Sequence, residues 1–474
     1  MRIWSIYQQA IFSDVAEGKG HVLVRARAGT GKTTTIVEAL NHVPAGASAL
    51  LVAFNKSIAK ELEGRAPQGV AVKTLHAFGF AALRSAFRTT MDQNKVERIA
   101  RGLFGPQLPG SVLGNLSKLV ARAKATLADD ENDLDMLIDD LGLDVPENER
   151  ADFIDHAAEI LSAGYRDTRT CDFDDMIWLA VRHGVRVPRF DLVFVDETQD
   201  LNAAQIELAL MAVKRGGRVI AVGDDRQAIY GFRGADENAV DNIVKRLNAR
   251  VLPLSITYRC GKAIVALAQA IVPDYEAAPT APDGIVRQVT DEALRAEAAP
   301  GDFVISRANA PLIGICLGFL AAGKPATIAG RDIGAGLLAL VDKSKATTIQ
   351  ELLEYVDAWE KAECERLAAR KRDTQPATDR ADCVEALTEG ASSVAEVRAR
   401  IEALFSDKDD ARRIVCTTTH KAKGLERERC WILADTYSAA STEENNLWYV
   451  AITRAKTELC LIGQRRSRRT SPLG

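Results

Sequence analysis

Short apolar runs alternate with longer amphipathic stretches along most of the chain. The runs predict buried strands and the stretches predict helices, a pattern typical of α/β folds with parallel sheets. A first group of predicted strands lies near residues 21–26, 49–54, 190–196 and 217–223. A second group lies near residues 301–306, 325–330, 413–419, 429–434 and 458–463. The pattern therefore predicts two α/β lobes.

A helical stretch interrupts the first group at residues 84–171. It contains the acidic segment 127–156, which would repel a phosphate backbone, so we expect a solvated face or a protein contact there. Lys118, Arg122 and Lys124 carry positive charges that could contact such a backbone, with an exposed helix face as the alternative.

A second helical stretch interrupts the second group at residues 346–410. Apolar residues recur there at helical spacing in two sets: Ile349, Leu352, Leu353, Val356 and Trp359, then Val394, Val397, Ile401 and Leu404. The segment DTQPATDR between the two sets predicts a loop.

The composition is that of an ordinary globular protein, with 47% hydrophobic and 27% charged residues among 474. No apolar stretch is long enough for a transmembrane helix. The eight cysteines are scattered without a CxxC pair, which favours reduced thiols in the cytoplasm over disulfides or a zinc site.

The net charge of −4 does not exclude nucleic acid, because one groove can still be basic. The basic segment 463–474 is predicted to be disordered and to attract DNA nonspecifically.

The segment VRARAGTGKTTT (24–35) joins a predicted strand to a predicted helix. Its loop and first helical turn contain Ala28, Gly29, Thr30, Gly31, Lys32, Thr33 and Thr34. Small residues let backbone N–H groups surround phosphate oxygens at a helix N-terminus. Lys32 would then reach the β- and γ-phosphates, and the Thr33 hydroxyl would bind Mg²⁺. Ala26, with Arg27 beside it, stands where this motif usually has its first glycine. The alternative to a phosphate-binding loop is a plain strand-to-helix turn.

A second strand ends in acids at FDLVFVDETQD (190–200). Ligands of parallel sheets bind at the carboxyl ends of strands, so this end should face the same site. Asp196 is placed to hold Mg²⁺, and Glu197 to orient and deprotonate a water. A carboxylate beside the metal favours phosphoryl transfer to water over transfer to a substrate. A capped strand end with solvated acids is the alternative.

A third strand ends in a polar tip in RVIAVGDDRQAIYGFRGA (218–235). Gln227 can sense a γ-phosphate or its attacking water. Tyr230, Phe232 and Arg233 follow closely, and aromatics beside a basic residue suit stacking on single-stranded bases. Ordinary core packing of the two aromatic residues is the alternative.

Five further segments complete a set of ordered motifs: LLVAFNKSIA (50–59), TLHAFG (74–79), LSITYR (254–259), TTHKAKGLE (418–426) and ENNLWYVAITRAK (444–456). From about residue 5 to residue 457, the chain resembles superfamily 1 DNA helicases of the UvrD/Rep/PcrA type. GFRGA, DFDDMIWL and ENNLWYVAITRA lean toward the F-box-DNA-helicase-like branch.

The resemblance implies two RecA-like P-loop motor domains with parallel sheets, each interrupted by a mostly helical insert. ATP with Mg²⁺ would bind between them. By resemblance, Gln8 contacts the adenine edge, with Gln9 as the alternative, and Tyr258 stacks on the adenine. Two arginines would reach the γ-phosphate and one glutamate the ribose, namely Arg259, Arg454 and Glu426. The alternative for the arginines is a structural ion pair.

The resemblance also implies a set of residues that contact single-stranded DNA: Phe54, Asn55, His76, Tyr230, Phe232, Arg233 and His420. For the two histidines, a satisfied core position is the alternative. The implied segments are motor lobe one (1–83 and 172–252) with insert 84–171, and motor lobe two (253–345 and 411–474) with insert 346–410.

The expected activity is an ATP-dependent DNA helicase or translocase that moves 3′ to 5′ on single-stranded DNA and unwinds tailed duplexes in repair, recombination or replication. We expect a cytoplasmic monomer or loose oligomer, which would be nucleoid-associated in a bacterium. Insert 346–410 is shorter than in UvrD relatives, which keeps open a protein-displacing translocase with weak unwinding. A nucleic-acid-sensing ATPase subunit of a nuclease or phage-defence complex, docked through the acidic segment, is a further alternative.

Overall fold

The computed structural model describes residues 3–53, 55–128, 130–143, 145–229, 239–369, 374–405 and 411–466. Contacts divide the chain into two units. The first unit comprises Met1–Arg27 and Gly31–Ser255, and the second comprises Ala28–Thr30 and Ile256–Gly474. Within the described ranges, no helix has the length and apolar character needed to cross a membrane.

The first unit is built on a parallel sheet. Its strands are β1 (Val22–Ala26), β2 (Ala49–Ala53), β3 (Val70–Thr74), β4 (Thr90–Met91), β5 (Thr170–Cys171), β6 (Phe190–Val195), β7 (Val213–Gly223) and β8 (Arg250–Leu254). In the described residues, β4 pairs only with β5, and the other strands form one sheet in the order β3-β2-β6-β7-β1-β8. Every pair in that sheet is parallel.

Helices cover both faces of this sheet, and an additional group forms the insert. The helices of the first unit are α1 (Ile6–Glu17), α2 (Lys32–Leu40), α3 (Lys56–Glu63), α4 (Leu75–Phe87), α5 (Lys95–Phe104), α6 (Gly110–Thr126), α7 (Glu131–Leu141), α8 (Arg150–Arg166), α9 (Asp175–Arg182), α10 (Ala203–Met211) and α11 (Ala239–Leu247). Helices α5 to α8 pack around their own apolar core, which includes Leu116, Val120 and Ile160.

The second unit repeats the plan with a second parallel sheet. Its strands are β9 (Ile256–Thr257), β10 (Glu276–Ala277), β11 (Ile285–Val289), β12 (Phe303–Ser306), β13 (Ala326–Ile328), β14 (Ile414–Thr418), β15 (Arg427–Leu433) and β16 (Ala455–Ile462). The sheet order is β11-β16-β15-β12-β14-β13, with all pairs parallel. Strands β9 and β10 pair separately.

The helices of the second unit are α12 (Lys262–Ala268), α13 (Asp291–Glu297), α14 (Ala310–Ala321), α15 (Arg331–Ser344), α16 (Ile349–Ala369), α17 (Gln375–Thr388), α18 (Val394–Leu404), α19 (Thr419–Ala422) and α20 (Thr442–Ile452). Helices α15 to α18 join the core of this sheet through Leu337, Leu352, Val384 and Ile401. The second helical stretch is thus continuous with the sheet core.

The predicted α/β class with parallel sheets is confirmed, and each predicted strand is present. The predictions missed β3, β8 and β11, which lie at sheet edges in the described structure, and the two-residue strands β4, β5, β9 and β10. Edge strands are half polar and tolerate proline, as β8 does at Pro253, so their apolar pattern is weak.

The prediction of a loop at DTQPATDR was wrong over most of that segment, because α17 begins at Gln375. Pro376 occupies the first turn of this helix, where the N–H that proline lacks would have no helical partner. The predicted six-segment division stays a prediction, since contacts separate only the two units.

Candidate functional site

The predicted phosphate loop joins β1 to α2. Gly29 and Gly31 have φ angles of 69° and 77°, in the left-handed region that side chains with a Cβ rarely adopt. Gly31 is the N-cap of α2 and supplies no side-chain acceptor to the first helical N–H groups. Those N–H groups and the positive end of the helix dipole suit an anion. Thr33 and Thr34 are half-buried in the first turn.

Lys32 opens α2 and meets the acidic end of β6. Its Nζ lies 2.8 Å from Oε2 of Glu197. Burial alone would lower the pKa of Lys32, but the carboxylates of Glu197, Asp224 and Asp196 together raise it above its ordinary value. The lysine therefore presents a permanent positive charge at the loop.

Asp196 and Glu197 follow β6 directly. Asp196 is 3% exposed, and burial, with the neighbouring Glu197 charge, raises its pKa to about 7 although Lys32 opposes the shift. Glu197 has a left-handed backbone with φ of 50°, and its N–H donates to Oδ1 of Asp196 at 2.9 Å. Such a backbone in a non-glycine residue is strained and often marks a functional site.

These acids fit a hard divalent cation. A buried carboxylate whose ionised form is destabilised gains from a bound cation, and oxygen ligands are those that Mg²⁺ prefers. Asp196 and the Thr33 hydroxyl are the residues that would hold it.

Asp224 is a fully buried carboxylate at the carboxyl end of β7. It accepts from Nη1 of Arg27 at 3.3 Å and from Nε2 of Gln227 at 2.6 Å. Arg27 also contacts Asp225, at 2.8 Å. Burial raises the pKa of Asp224, against the opposing effects of Lys32 and Arg27. Arg27, which the sequence marked only as a departure from the usual loop, therefore ties β1 to the Gln227 segment.

Gln8 and Gln9 point in different directions. Gln8 is buried, and its Nε2 donates to Oγ1 of Thr35 at 2.9 Å on the phosphate-loop helix. Its Oε1 accepts from the backbone N–H of Ser5 in a capping box. Gln9 is exposed and donates to the carbonyl of Trp4. Of the two alternatives, Gln8 is the one that contacts the loop helix.

In the second unit, Tyr258 is 51% exposed, and Arg259 next to it binds an acid. Nε of Arg259 lies 2.5 Å from Oε2 of Glu426, whose other oxygen lies 3.2 Å from Nζ of Lys456. Burial would raise the pKa of Glu426, but these two cations lower it. The ion pair is the structural alternative for Arg259, and its phosphate contact stays a prediction.

Arg454 is 1% exposed inside the second unit. Its guanidinium donates to the carbonyls of Val450 and Leu425 at 2.8 and 3.0 Å, and to the Thr453 hydroxyl at 3.1 Å. Burial, with the nearby charge of Arg259, lowers its pKa to about 10. Arg454 thus holds α20 against the segment before β15, and its predicted phosphate contact stays a prediction.

Two family models match the chain. Residues 8–248 match the UvrD/REP helicase N-terminal domain, and residues 413–462 match the UvrD-like helicase C-terminal domain. The chain belongs to the UvrD/REP helicase family. The resemblance expected from the ordered motifs is confirmed.

Individual relatives are similar at modest identity. ATP-dependent DNA helicase PcrA of Leuconostoc citreum is 25% identical over 299 residues, which cover 54% of this chain and 37% of the relative. PcrA of Bacillus subtilis strain 168 is 26% identical over 296 residues, which cover 53% of this chain and 37% of that relative. ATP-dependent DNA helicase Rep of Escherichia coli K12 is 26% identical over 284 residues, which cover 53% of this chain and 41% of that relative. The matched region spans about two fifths of these relatives.

An aromatic pair marks the candidate nucleic-acid interface of this UvrD/REP family member. The rings of His76 and Phe173 stack with centroids 3.9 Å apart and an interplanar angle of 22°. Burial lowers the pKa of His76 to about 4, so the imidazole is neutral, while Phe173 is 59% exposed. The sequence placed Phe173 in a family motif without a role, because periodicity does not show that an aromatic residue is exposed.

Two other predicted DNA contacts, Asn55 and His420, fall within the described residues. Asn55 is exposed, and its Oδ1 caps α3 by accepting from the N–H of Ile58 at 2.9 Å. His420 is half-buried in α19. Four predicted contacts lie outside the described residues: Phe54, Tyr230, Phe232 and Arg233.

Lys124 is buried, so its predicted contact with DNA was wrong. Its Nζ lies 2.6 Å from Asp172 and 2.8 Å from Asp175, and Asp175 also binds Lys95 at 2.8 Å. The ammonium neutralises buried acids and does not reach solvent. Lys118 in the same helix is exposed and stays a candidate.

Proposed function

We propose that the chain is an ATP- and Mg²⁺-dependent DNA helicase or translocase that moves 3′ to 5′ on single-stranded DNA. The observation that carries the proposal is the Lys32–Glu197 contact, which brings the phosphate loop to a carboxylate that follows a buried Asp196. The relatives PcrA and Rep are named ATP-dependent DNA helicases, which supports ATP and DNA as the two substrates.

In this proposal, the loop N–H groups and Lys32 bind the phosphates, and Thr33 and Asp196 hold Mg²⁺. The cation, when bound, would neutralise charge on the phosphate oxygens. Phosphate binding to Lys32 replaces its contact with Glu197, which leaves that carboxylate to accept a proton from water. Gln227 orients the same water, as a glutamine does in other P-loop enzymes.

The remaining residues take roles by family resemblance. Gln8 and Tyr258 hold the adenine, and Glu426 the ribose. Arg259 and Arg454 neutralise charge that develops on the γ-phosphate, after exchange of their present partners.

Single-stranded DNA stacks on exposed aromatic side chains in this proposal. The His76–Phe173 pair is an uncharged aromatic surface, and such stacking is worth about 1–3 kcal/mol per base. By family resemblance, the strand also contacts Asn55, His420, Phe54, Tyr230, Phe232 and Arg233. Direction and pathway rest on the family resemblance, as do a cytoplasmic location and action as a monomer or loose oligomer.

A second candidate function is a nucleic-acid-sensing ATPase subunit of a larger complex. The observation that favours it is the acidic helix α7, which has Glu131 and Asp133 in its first turn. Acidic side chains repel phosphate and are better suited to contact a protein partner. In that function, ATP turnover would still respond to DNA, but strand separation would require the partner.

Tailed duplexes test the proposal and its direction. A duplex with a 3′ single-stranded tail should be separated in the presence of ATP and Mg²⁺, and a blunt duplex or one with a 5′ tail should not. Equal separation of both tailed duplexes would contradict the polarity. Displacement of a bound protein without strand separation would favour the translocase, and inactivity on every substrate despite DNA-stimulated ATP turnover would favour the sensing subunit.

A further inference from the structure

Gln199 lies between the candidate base and the candidate γ-phosphate sensor, and its side chain is fully buried. Its Nε2 donates to Oε2 of Glu197 at 2.6 Å, and its Oε1 accepts from the backbone N–H of Asp224 at 3.0 Å. Only this orientation of the amide satisfies both partners, because a carboxylate cannot donate and an N–H cannot accept. The position therefore requires a side chain with one donor and one acceptor.

Both partners of Gln199 are themselves bound to predicted catalytic residues. Oε2 of Glu197 also accepts from Lys32, and Oδ2 of Asp224 accepts from Gln227. A continuous hydrogen-bonded path thus runs from the phosphate-loop lysine to the predicted sensor, and Gln199 is its central member. All five residues belong to the first unit.

The surroundings fix Gln199 in place. The hydroxyl of Thr198 donates to the carbonyls of Val195 and Val222, which holds the turn after β6 against β7. A Cβ on Gly223 would lie 2.8 Å from Oε1 of Gln199, so the glycine leaves room for the amide. Arg27 binds the Oδ1 atom of Asp224.

We propose that Gln199 is a positioning residue of the hydrolytic reaction, which couples Glu197 to the Asp224–Gln227 segment. Its amide bonds to Glu197, to Asp200 at 3.4 Å and to the Asp224 backbone, so it acts on the reaction through Glu197 and Asp224. Any displacement of Gln227 by a phosphate is transmitted through Asp224 and the amide to the carboxylate that receives the proton. The inference rests on the proposed function, because it assigns a role within ATP hydrolysis.

Two substitutions perturb the hydrogen bonds of Gln199. Gln199→Met keeps the approximate length and removes both bonds. Gln199→Glu keeps the acceptor for the Asp224 N–H and sets a second carboxyl group against Glu197 in place of the neutral donor. A misplaced catalytic group typically costs about 100-fold in rate, so we expect kcat for DNA-stimulated hydrolysis to fall by about 10- to 100-fold in both variants. In Gln199→Met, which adds no charge, KM and the affinity for a non-hydrolysable ATP analogue should change by less than about twofold.

Gln205→Met is the matched control. Gln205 also follows β6 but is only partly buried, and its Oε1 caps α10 by accepting from the N–H of Asn202. Loss of this cap should lower stability without changing kcat. Gly223→Ala provides an independent test, because the added Cβ displaces the amide while leaving its chemistry intact.

The inference predicts reduced kcat with unchanged nucleotide affinity in Gln199→Met and Gly223→Ala, reduced kcat in Gln199→Glu, and wild-type kcat in Gln205→Met. Wild-type kcat in Gln199→Met would overturn it. So would equal losses of kcat in Gln199→Met and Gln205→Met, which would indicate a general effect on folding. If Gln199→Met does not fold, Gly223→Ala and Gln199→Glu decide by the same criteria. A wild-type chain that binds but never hydrolyses ATP would contradict the proposed function itself, which is a separate result.

Discussion

Lys32 and Glu197 form an ion pair, with Nζ 2.8 Å from Oε2, that joins the phosphate loop to the acidic end of β6. The two residues are 165 positions apart in sequence. Their meeting at the carboxyl edge of a parallel sheet places a cation for phosphate and a base for water at one point. The proposed chemistry depends on this relationship.

Glu197→Gln should leave nucleotide binding intact and reduce ATP turnover by about 10²- to 10⁴-fold, because the amide cannot accept the proton. Binding of a fluorescent ATP analogue and steady-state hydrolysis measure the two effects. Turnover at the wild-type rate would remove Glu197 as the base.

Arg27→Met should lower the free energy of unfolding by about 3–5 kcal/mol, because it leaves the buried Asp224 carboxylate without its cationic partner. Arg25→Met is the matched control, since Arg25 pairs with Asp241 at a partly exposed site and such pairs contribute about 0–1 kcal/mol. Urea unfolding of both variants measures the difference. Equal losses of unfolding free energy in the two variants would show that the Arg27 ion pair contributes no more than an exposed pair.

Lys124→Met should destabilise the chain by about 3–5 kcal/mol, because Asp172 and Asp175 lose a buried cation. Lys118→Met, on the exposed face of the same helix, should change stability by less than about 0.5 kcal/mol. Thermal or urea unfolding distinguishes the two lysines. A stable Lys124→Met variant with weakened DNA binding would restore the original prediction that Lys124 contacts DNA.

Phe173→Ala should weaken binding of single-stranded DNA by about 1–3 kcal/mol, since it removes the exposed ring of the His76 stack. Phe104→Ala is the control, because Phe104 forms a similar ring contact with His156 in the helical insert. Fluorescence anisotropy with a labelled oligonucleotide gives both affinities. Equal affinities of the two variants would argue against a DNA contact at Phe173.

Local sequence predicted the phosphate loop and the acids after β6 well, because each depends on a strand end and a few adjacent residues. It did not predict the contact of Arg27 with Asp224, which are 197 positions apart, or the role of Gln199. These depend on the order of strands in the sheet, which puts β7 beside both β1 and β6. No local pattern encodes that order.

The error at Lys124 has a different cause. Leu113, Leu116, Val120 and Lys124 follow each other at spacings of three and four, and all are buried on one face of α6. Periodicity therefore placed Lys124 on the apolar face, but its charge was taken to indicate exposure. Buried acids in α9 and just before it compensate that charge, and they come from a distant part of the chain.

The most direct test of the account is the rate of ATP hydrolysis with and without single-stranded DNA, with Lys32→Ala as the blank. The account predicts hydrolysis that rises strongly with DNA and disappears in the variant, because Lys32 binds the phosphates that are cleaved. A rate of ATP hydrolysis that does not change with DNA, or that persists in Lys32→Ala, would contradict it.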